Sequence, residues 1–189
     1  MVWAADTAFL EGLDFFSHAV GLVPAQGWDR PSPCAGWTAR DIVGHVGLGT
    51  DFGTRLLQGQ QPQWRPVDPP GEAVSGDPAR WWSELVGPAR EAVSGADLAA
   101  EVDSPTGRRS VGAGLSFPAV DLFLHGWDLA RAAGSDIEIP EQAQEFVHSV
   151  IDLIPDEQVR SGRVFGREVA IESGTPTQRF VAWAGRDPR

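Results

Sequence analysis

The sequence predicts an all-α bundle of four or five main helices joined by long connections. Two observations predict it: separate stretches carry apolar residues at helical spacing, and caps, prolines and glycines mark where each stretch begins and ends. The first stretch is residues 6 to about 23, with Asp6 as cap and Phe9, Leu13, Phe16, Val20 and Val23 as its stripe; Pro24 stops it. Residues 26–37 form a loop rich in proline and glycine. Thr38 then caps a second helix, Asp41 completes a variant of the capping box, and Ile42, His45, Val46, Gly49, Phe52 and Leu56 share one side. Gly44, Gly47, Gly49 and Gly53 are poor helix formers whose use is to let another backbone or a ligand come close.

Residues 58–76 read as a loop of proline, glutamine and glycine. Asp77-Pro78 opens a third helix with Trp81, Trp82, Leu85, Ala89 and Ala92 inward, and Pro88 is expected to kink or split it. Residues 97–114 lack helical period, and Ser104-Pro105-Thr106-Gly107 reads as the turn of a small β-hairpin. The fourth helix carries Val120 to Arg131 and is apolar on most of its faces, hence central; Ser116 is expected to cap it, Pro118 falls in its first turn and Gly134 ends it. Ile139-Pro140 opens a fifth, with Phe146, Val147, Val150, Ile151 and Ile154 apolar and Pro155 closing it. Residues 156–174 read as irregular or short strand, including 164–166 and 169–171, before a short last helix from Thr175-Pro176 through Trp183 to Gly185. The 189 residues suit one domain, 1–189, with its own core.

The net charge of −11 argues against a nucleic-acid or anionic-membrane binder, both of which need a basic patch. Arg108 with Arg109, and Arg160 with Arg163, are the local basic clusters. Cys34 is the one cysteine, which excludes an intramolecular disulfide and is consistent with a reducing cytoplasm. The acidic start of the chain is no signal peptide, and no stretch approaches the roughly 18 apolar residues of a membrane span. The expectation is a cytoplasmic protein that binds neither nucleic acid nor membrane.

Asp121 and His125 are four residues apart, one above the other on one helix face, and Asp128 lies three further along. With His45 from the second helix they make two imidazoles and a carboxylate, a set that fits zinc, nickel or iron(II) and leaves a coordination position open. The plainer alternative is that each histidine is a core residue with its own hydrogen bond. Asp128 is a second possible carboxylate, more simply read as a partner of Arg131 or of a backbone N–H. Cys34 near a helix N-terminus reads as a packing residue before it reads as a nucleophile. Trp37 and Trp127 lie near the proposed ligands in sequence and are candidate pocket walls; His18 and His148 are ordinary boundary residues. HExxH, CxxC, GxxxxGK[ST] and GxSxG are missing, and Gly112-Ala113-Gly114 is too short a signal for nucleotide binding.

The run from Ser32 to Val46, containing Cys34, Gly36-Trp37-Thr38, Arg40-Asp41 and His45, resembles the opening motif of the mycothiol-dependent maleylpyruvate isomerase-like family within the DinB-like metalloproteins. Leu124 to Ala132, with His125 and Trp127-Asp128-Leu129-Ala130-Arg131, resembles its second motif, and Val164 to Gly166 with Arg179 to Pro188 resembles its ending. The resemblance implies a DinB-like four-helix bundle and a divalent metal, usually zinc, on His45, Asp121 and His125. It departs at Asp121, where the isomerase typically has Glu. The isomerase also carries a separate C-terminal domain for which this chain is expected to have no room, so maleylpyruvate isomerisation itself is not implied. What is implied is a thiol-dependent S-transferase or isomerase: mycothiol or a similar small thiol binds the open metal position and attacks a small electrophile. Two alternatives stand beside it, a metal-water hydrolase or tailoring enzyme, and a non-enzymatic ligand-binding or stress-response protein with a vestigial site. Relatives of this kind are often homodimers.

Overall fold

A computed structural model describes residues 2–104, 107–160 and 164–189. The chain divides into two compact units, Ala4–Asp136 and one made mainly of Ile137–Arg189. In the first, four helices form the bundle: α1 (Ala5–Leu22), α2 (Ala39–Leu57), α3 (Pro78–Ser94) and α4 (Val111–Ala133). A short 3-10 helix, Pro70–Ala73, precedes α3, and an antiparallel hairpin of β1 (Glu101–Ser104) and β2 (Gly107–Ser110) leads into α4 with Val102 opposite Arg109. The expected hairpin turn falls on Pro105 and Thr106, which lie outside the described residues.

The core takes in most of the predicted stripes, although Phe52, Trp81, Leu85 and Ala92 are only half-buried. Phe9, Leu13 and Phe16 of α1, Ile42 and Val43 of α2, Trp82 of α3 and Leu115, Leu122, Phe123 and Leu129 of α4 are buried. α1 and α4 touch through small residues: a methyl on Gly12 would lie 2.8 Å from Leu122 Cβ, and one on Gly126 would lie 2.8 Å from the Phe15 ring. Among the described residues no helix is long and apolar enough to cross a membrane.

Asp41 does more than cap. Its Oδ2 accepts from the Thr38 N–H (2.8 Å) and hydroxyl (2.6 Å), and its Oδ1 accepts from the Gly71 N–H (2.8 Å). Beside it the Arg40 guanidinium donates to the carbonyls of Gly71 and Gly76, at 3.2 and 3.3 Å, and of Val74. The 3-10 helix is thereby pinned to the start of α2. Burial by itself raises the Asp41 pKa, but the bonds from Thr38 and Gly71 and the charge of Arg40 outweigh it and hold the carboxyl below its ordinary 3.8. A folded value below the unfolded one adds stability that is complete above about pH 4 and is lost as pH falls through the folded value. Asp41→Asn is expected to cost about 1–3 kcal/mol at neutral pH. It should also flatten the acid limb of stability, so urea midpoints of variant and parent converge as pH drops below that of the free carboxyl; parallel curves would refute the assignment.

Several helix ends differ from the sequence expectation. α1 starts at Ala5 after Ala4, and Asp6 accepts only from its neighbour, the Thr7 N–H, at 2.7 Å. α3 runs unbroken through Pro88; Pro88 and Glu84, whose carbonyl loses its donor, are both exposed, so that carbonyl is on the solvent side of the helix. α4 begins at Ser110 rather than Ser116: the Ser110 hydroxyl accepts from the Ala113 N–H (3.2 Å), while Ser116 donates back to the Gly112 carbonyl (3.1 Å) as a mid-helix serine. Gly112, Gly114 and Pro118 hide this first part of the helix from a reading by propensity. Gly134 ends α4 in the left-handed conformation, φ 80°, as expected.

The second unit holds α5 (Glu141–Ile151), α6 (Asp156–Val159) and α7 (Pro176–Trp183). Pro155 does not only close α5; it opens the single turn of α6. Residues 164–166 and 169–171 are not strands. Phe165 packs on Trp183, ring centres 5.4 Å apart, and Thr175 with Gln178 forms a second capping box. His148 sits against Trp183 at 4.0 Å. The basic clusters are paired: Arg108 with Glu101 at 2.9 Å, and Arg160 with Asp156 at 2.8 Å; Arg163 lies outside the described residues.

Candidate functional site

Helical spacing puts Asp121 and His125 one turn apart on α4, and the packing of α2 on α4 brings His45 against them. His45 Nε2 is 3.2 Å from Asp121 Oδ2, and the two imidazole centres are 5.0 Å apart. One donor atom from each of His45, Asp121 and His125 lies within 4.8 Å of the other two, a grouping that could hold a metal ion.

Asp128 does not stand idle on the same face. Its fully buried carboxylate lies 2.9 Å from His125 Nδ1. With Nδ1–H donated to Asp128, the His125 Nε2 lone pair is left for a ligand. The Cys34 thiol donates to the same Asp128 oxygen at 3.3 Å, with its sulfur 3.8 Å from His125 Nδ1. Cys34, His125 and Asp128 thus form a second close group sharing His125 with the first. Two of its members are engaged with each other through Nδ1, which makes Asp128 an orienting carboxylate.

The two histidines differ electrically. Burial lowers the His125 pKa, and the opposing pull of Asp128 does not overcome it, so the imidazole is held neutral, the form that ligates. Burial also pulls His45 down, but its hydrogen bond to Asp121 and the charge of that carboxylate raise it above 6.5. Asp121 therefore stabilises positive charge at this spot.

The loop before α2 sets the remaining walls. The Ala39 and Arg40 N–H groups donate to the Arg30 and Trp28 carbonyls at 2.9 Å, and Arg30 reaches the Ala133 carbonyl at 3.2 Å. Gly36, at φ 80°, turns the chain so that Trp37 follows. The Trp37 ring centre lies 5.0 Å from that of His45 and 5.8 Å from that of His125. Trp127, the other expected wall, is buried with the Arg131 guanidinium over its ring at 5.8 Å, and Arg131 also pairs with Asp136. Trp64, which the sequence reading did not single out, takes the place expected of Trp127: from the 58–76 connection its ring reaches 6.0 Å from His45. A tryptophan alone in a polar connection was the available signal. For Cys34 no spacing rule marks its meeting with Asp128, 94 residues away.

The geometry has counterparts. The chain is 26% identical over 180 residues, 93% of its length and 94% of theirs, to uncharacterized proteins of two strains of Mycobacterium tuberculosis. It resembles the crystal structure of the mycothiol-dependent maleylpyruvate isomerase, TM-score 0.61 at 18% identity over 75% of this chain, and that of a histidine-to-alanine mutant, 0.62 at 17%. The chain spans 65% of those chains' length, and at this identity the likeness establishes the DinB-like helical fold. The sequence profile of the mycothiol maleylpyruvate isomerase N-terminal domain matches residues 9–130, which include every residue of the site, and the chain belongs to that family.

Proposed function

We propose that the chain is a divalent-metal-dependent enzyme that adds a low-molecular-weight thiol, mycothiol first among them, to a small electrophile, yielding a conjugate or, after elimination of the thiol, an isomer. The observation that carries the metal is the convergence of His45, Asp121 and His125, with His125 Nε2 freed by the Asp128 bond. Family membership supports the thiol. Two imidazoles and a carboxylate suit zinc, with nickel and iron(II) accepting the same set. The bound ion would lower a thiol's pKa and keep it as thiolate at neutral pH. Asp128 keeps His125 in the ligating tautomer, Trp37 packs beside both imidazoles and Trp64 stands edge-on to His45.

The test is turnover of a terminal epoxide by zinc-loaded protein with mycothiol, without thiol, and after chelation. Conjugate formation that needs both thiol and metal is expected. Turnover without thiol would move the reading to a metal-water hydrolase, and turnover unaffected by chelation would refute the metal's part.

A further inference from the structure

We infer that the cleft beside Asp121 holds the body of the electrophile and selects apolar substrates over small dicarboxylates. This rests on the reading above that Asp121 belongs to the reacting centre. The cleft has a volume of about 870 Å³, within the range of sites for drug-sized ligands. Phe52 and Leu56 of α2, Phe117 and Pro118 of α4, and Trp64 form most of its apolar wall. Its ionisable lining is Asp103, Arg109 and Asp121, one cation against two anions, a poor match for a dianion. Residues 61–64 also border a second hollow of about 600 Å³, which is more mixed: Asp51, Arg55, Gln60 and Arg65 line it beside Leu48 and Phe52.

Gly49 carries the argument further. It follows His45 by four residues on the same helix face, lines the cleft, and a methyl added to it would meet nothing within 4 Å. Gly44 and Gly47 of the same helix are filled by neighbouring groups of the fold, whereas the space over Gly49 is kept open. A side chain there would start into the cleft, its Cβ meeting no other part of the protein.

The experiment titrates the full chain with N-phenylnaphthylamine, a neutral apolar fluorophore, and displaces it with terminal epoxides from epoxybutane to epoxydecane. Binding is measured in the parent, Gly49→Leu, Phe117→Glu, and Gly21→Leu, a control on the exposed side of α1. One site per chain is expected, weakened about tenfold or more by Gly49→Leu and by Phe117→Glu and unchanged by Gly21→Leu. Epoxide affinity should rise about two- to fourfold per added methylene until the cleft is full. Equal affinity in both cleft variants, or no dependence on chain length, overturns the assignment. Measuring zinc uptake by the same proteins separates the two readings: dye binding by a chain that takes up no zinc sinks only the metal, and zinc uptake without dye binding sinks only the cleft.

Discussion

Replacing His125 with alanine is expected to leave the chain without a stoichiometric metal ion. His125 is the hub of the site: it faces His45 and Asp121 on one side and is held by Asp128 on the other. If His45, Asp121 and His125 hold the ion as proposed, loss of one leaves two, too few for tight binding of zinc. Alanine also removes the donor facing a carboxylate with no exposure, at a cost in stability that could mimic loss of the ion. His125→Asn separates the effects, because its amide can still donate to Asp128 yet does not replace an imidazole as ligand. Elemental mass spectrometry of freshly purified protein should give about one ion per chain for the parent and near none for His45→Ala, His125→Ala and His125→Asn. Asp128→Asn should keep the ion at saturating zinc but bind it about 10–100-fold more weakly, the usual cost of an outer-shell partner. Zinc should raise the melting temperature of the parent and leave that of the His125 variants unmoved. Full occupancy in His125→Asn would place the ion elsewhere.

Three glycines of α2 are expected to answer the same substitution with opposite signs. A methyl on Gly44 would stand 2.1 Å from the carbonyl oxygen of Pro70 and 2.6 Å from its carbon. That backbone cannot yield cheaply, because Asp41 and Arg40 hold Gly71 from both its N–H and its carbonyl. Gly44→Ala should therefore lose about 2–3 kcal/mol net, the cost of overpacking exceeding the gain of about 1 kcal/mol in helix propensity. At Gly47 the obstacle is the Trp81 ring, 2.3 Å away but half-buried and able to turn, so a smaller loss is expected. Gly49→Ala meets nothing and should gain up to about 1 kcal/mol. Urea midpoints of the three variants order them directly, and a Gly44→Ala protein as stable as its parent would show that the 3-10 helix is not clamped.

The sequence carried the bundle because its helices are amphipathic and well capped; Thr38, Asp77 and Thr175 act as their residue types predict. It also offered the three residues of the candidate site, Asp121 and His125 from helical period and His45 from the apolar pattern of the second helix. The start of α4 was hidden because packing, not propensity, keeps Gly112 to Pro118 helical. Asp128 was read as a partner of Arg131 because both lie on one helix. Its contact with Cys34 depends on how the loop before α2 folds back, which no local pattern records. Trp64 was concealed in the same way, by a connection whose course is set at its two ends.

Those two ends lie on one helix. The segment 58–69 leaves α2 at Leu57 and meets the 3-10 helix that Asp41 and Arg40 fasten to the first turn of α2. It is a handle on a single rod, bordering the cleft at its middle without joining one helix of the bundle to another. Closing a loop of twice the length costs only about 0.6 kcal/mol more. Such a segment would behave as an exchangeable cassette: lengthened or shortened, it would redraw the chamber around His45 while the four helices, and the three residues proposed to hold the metal, stay in register.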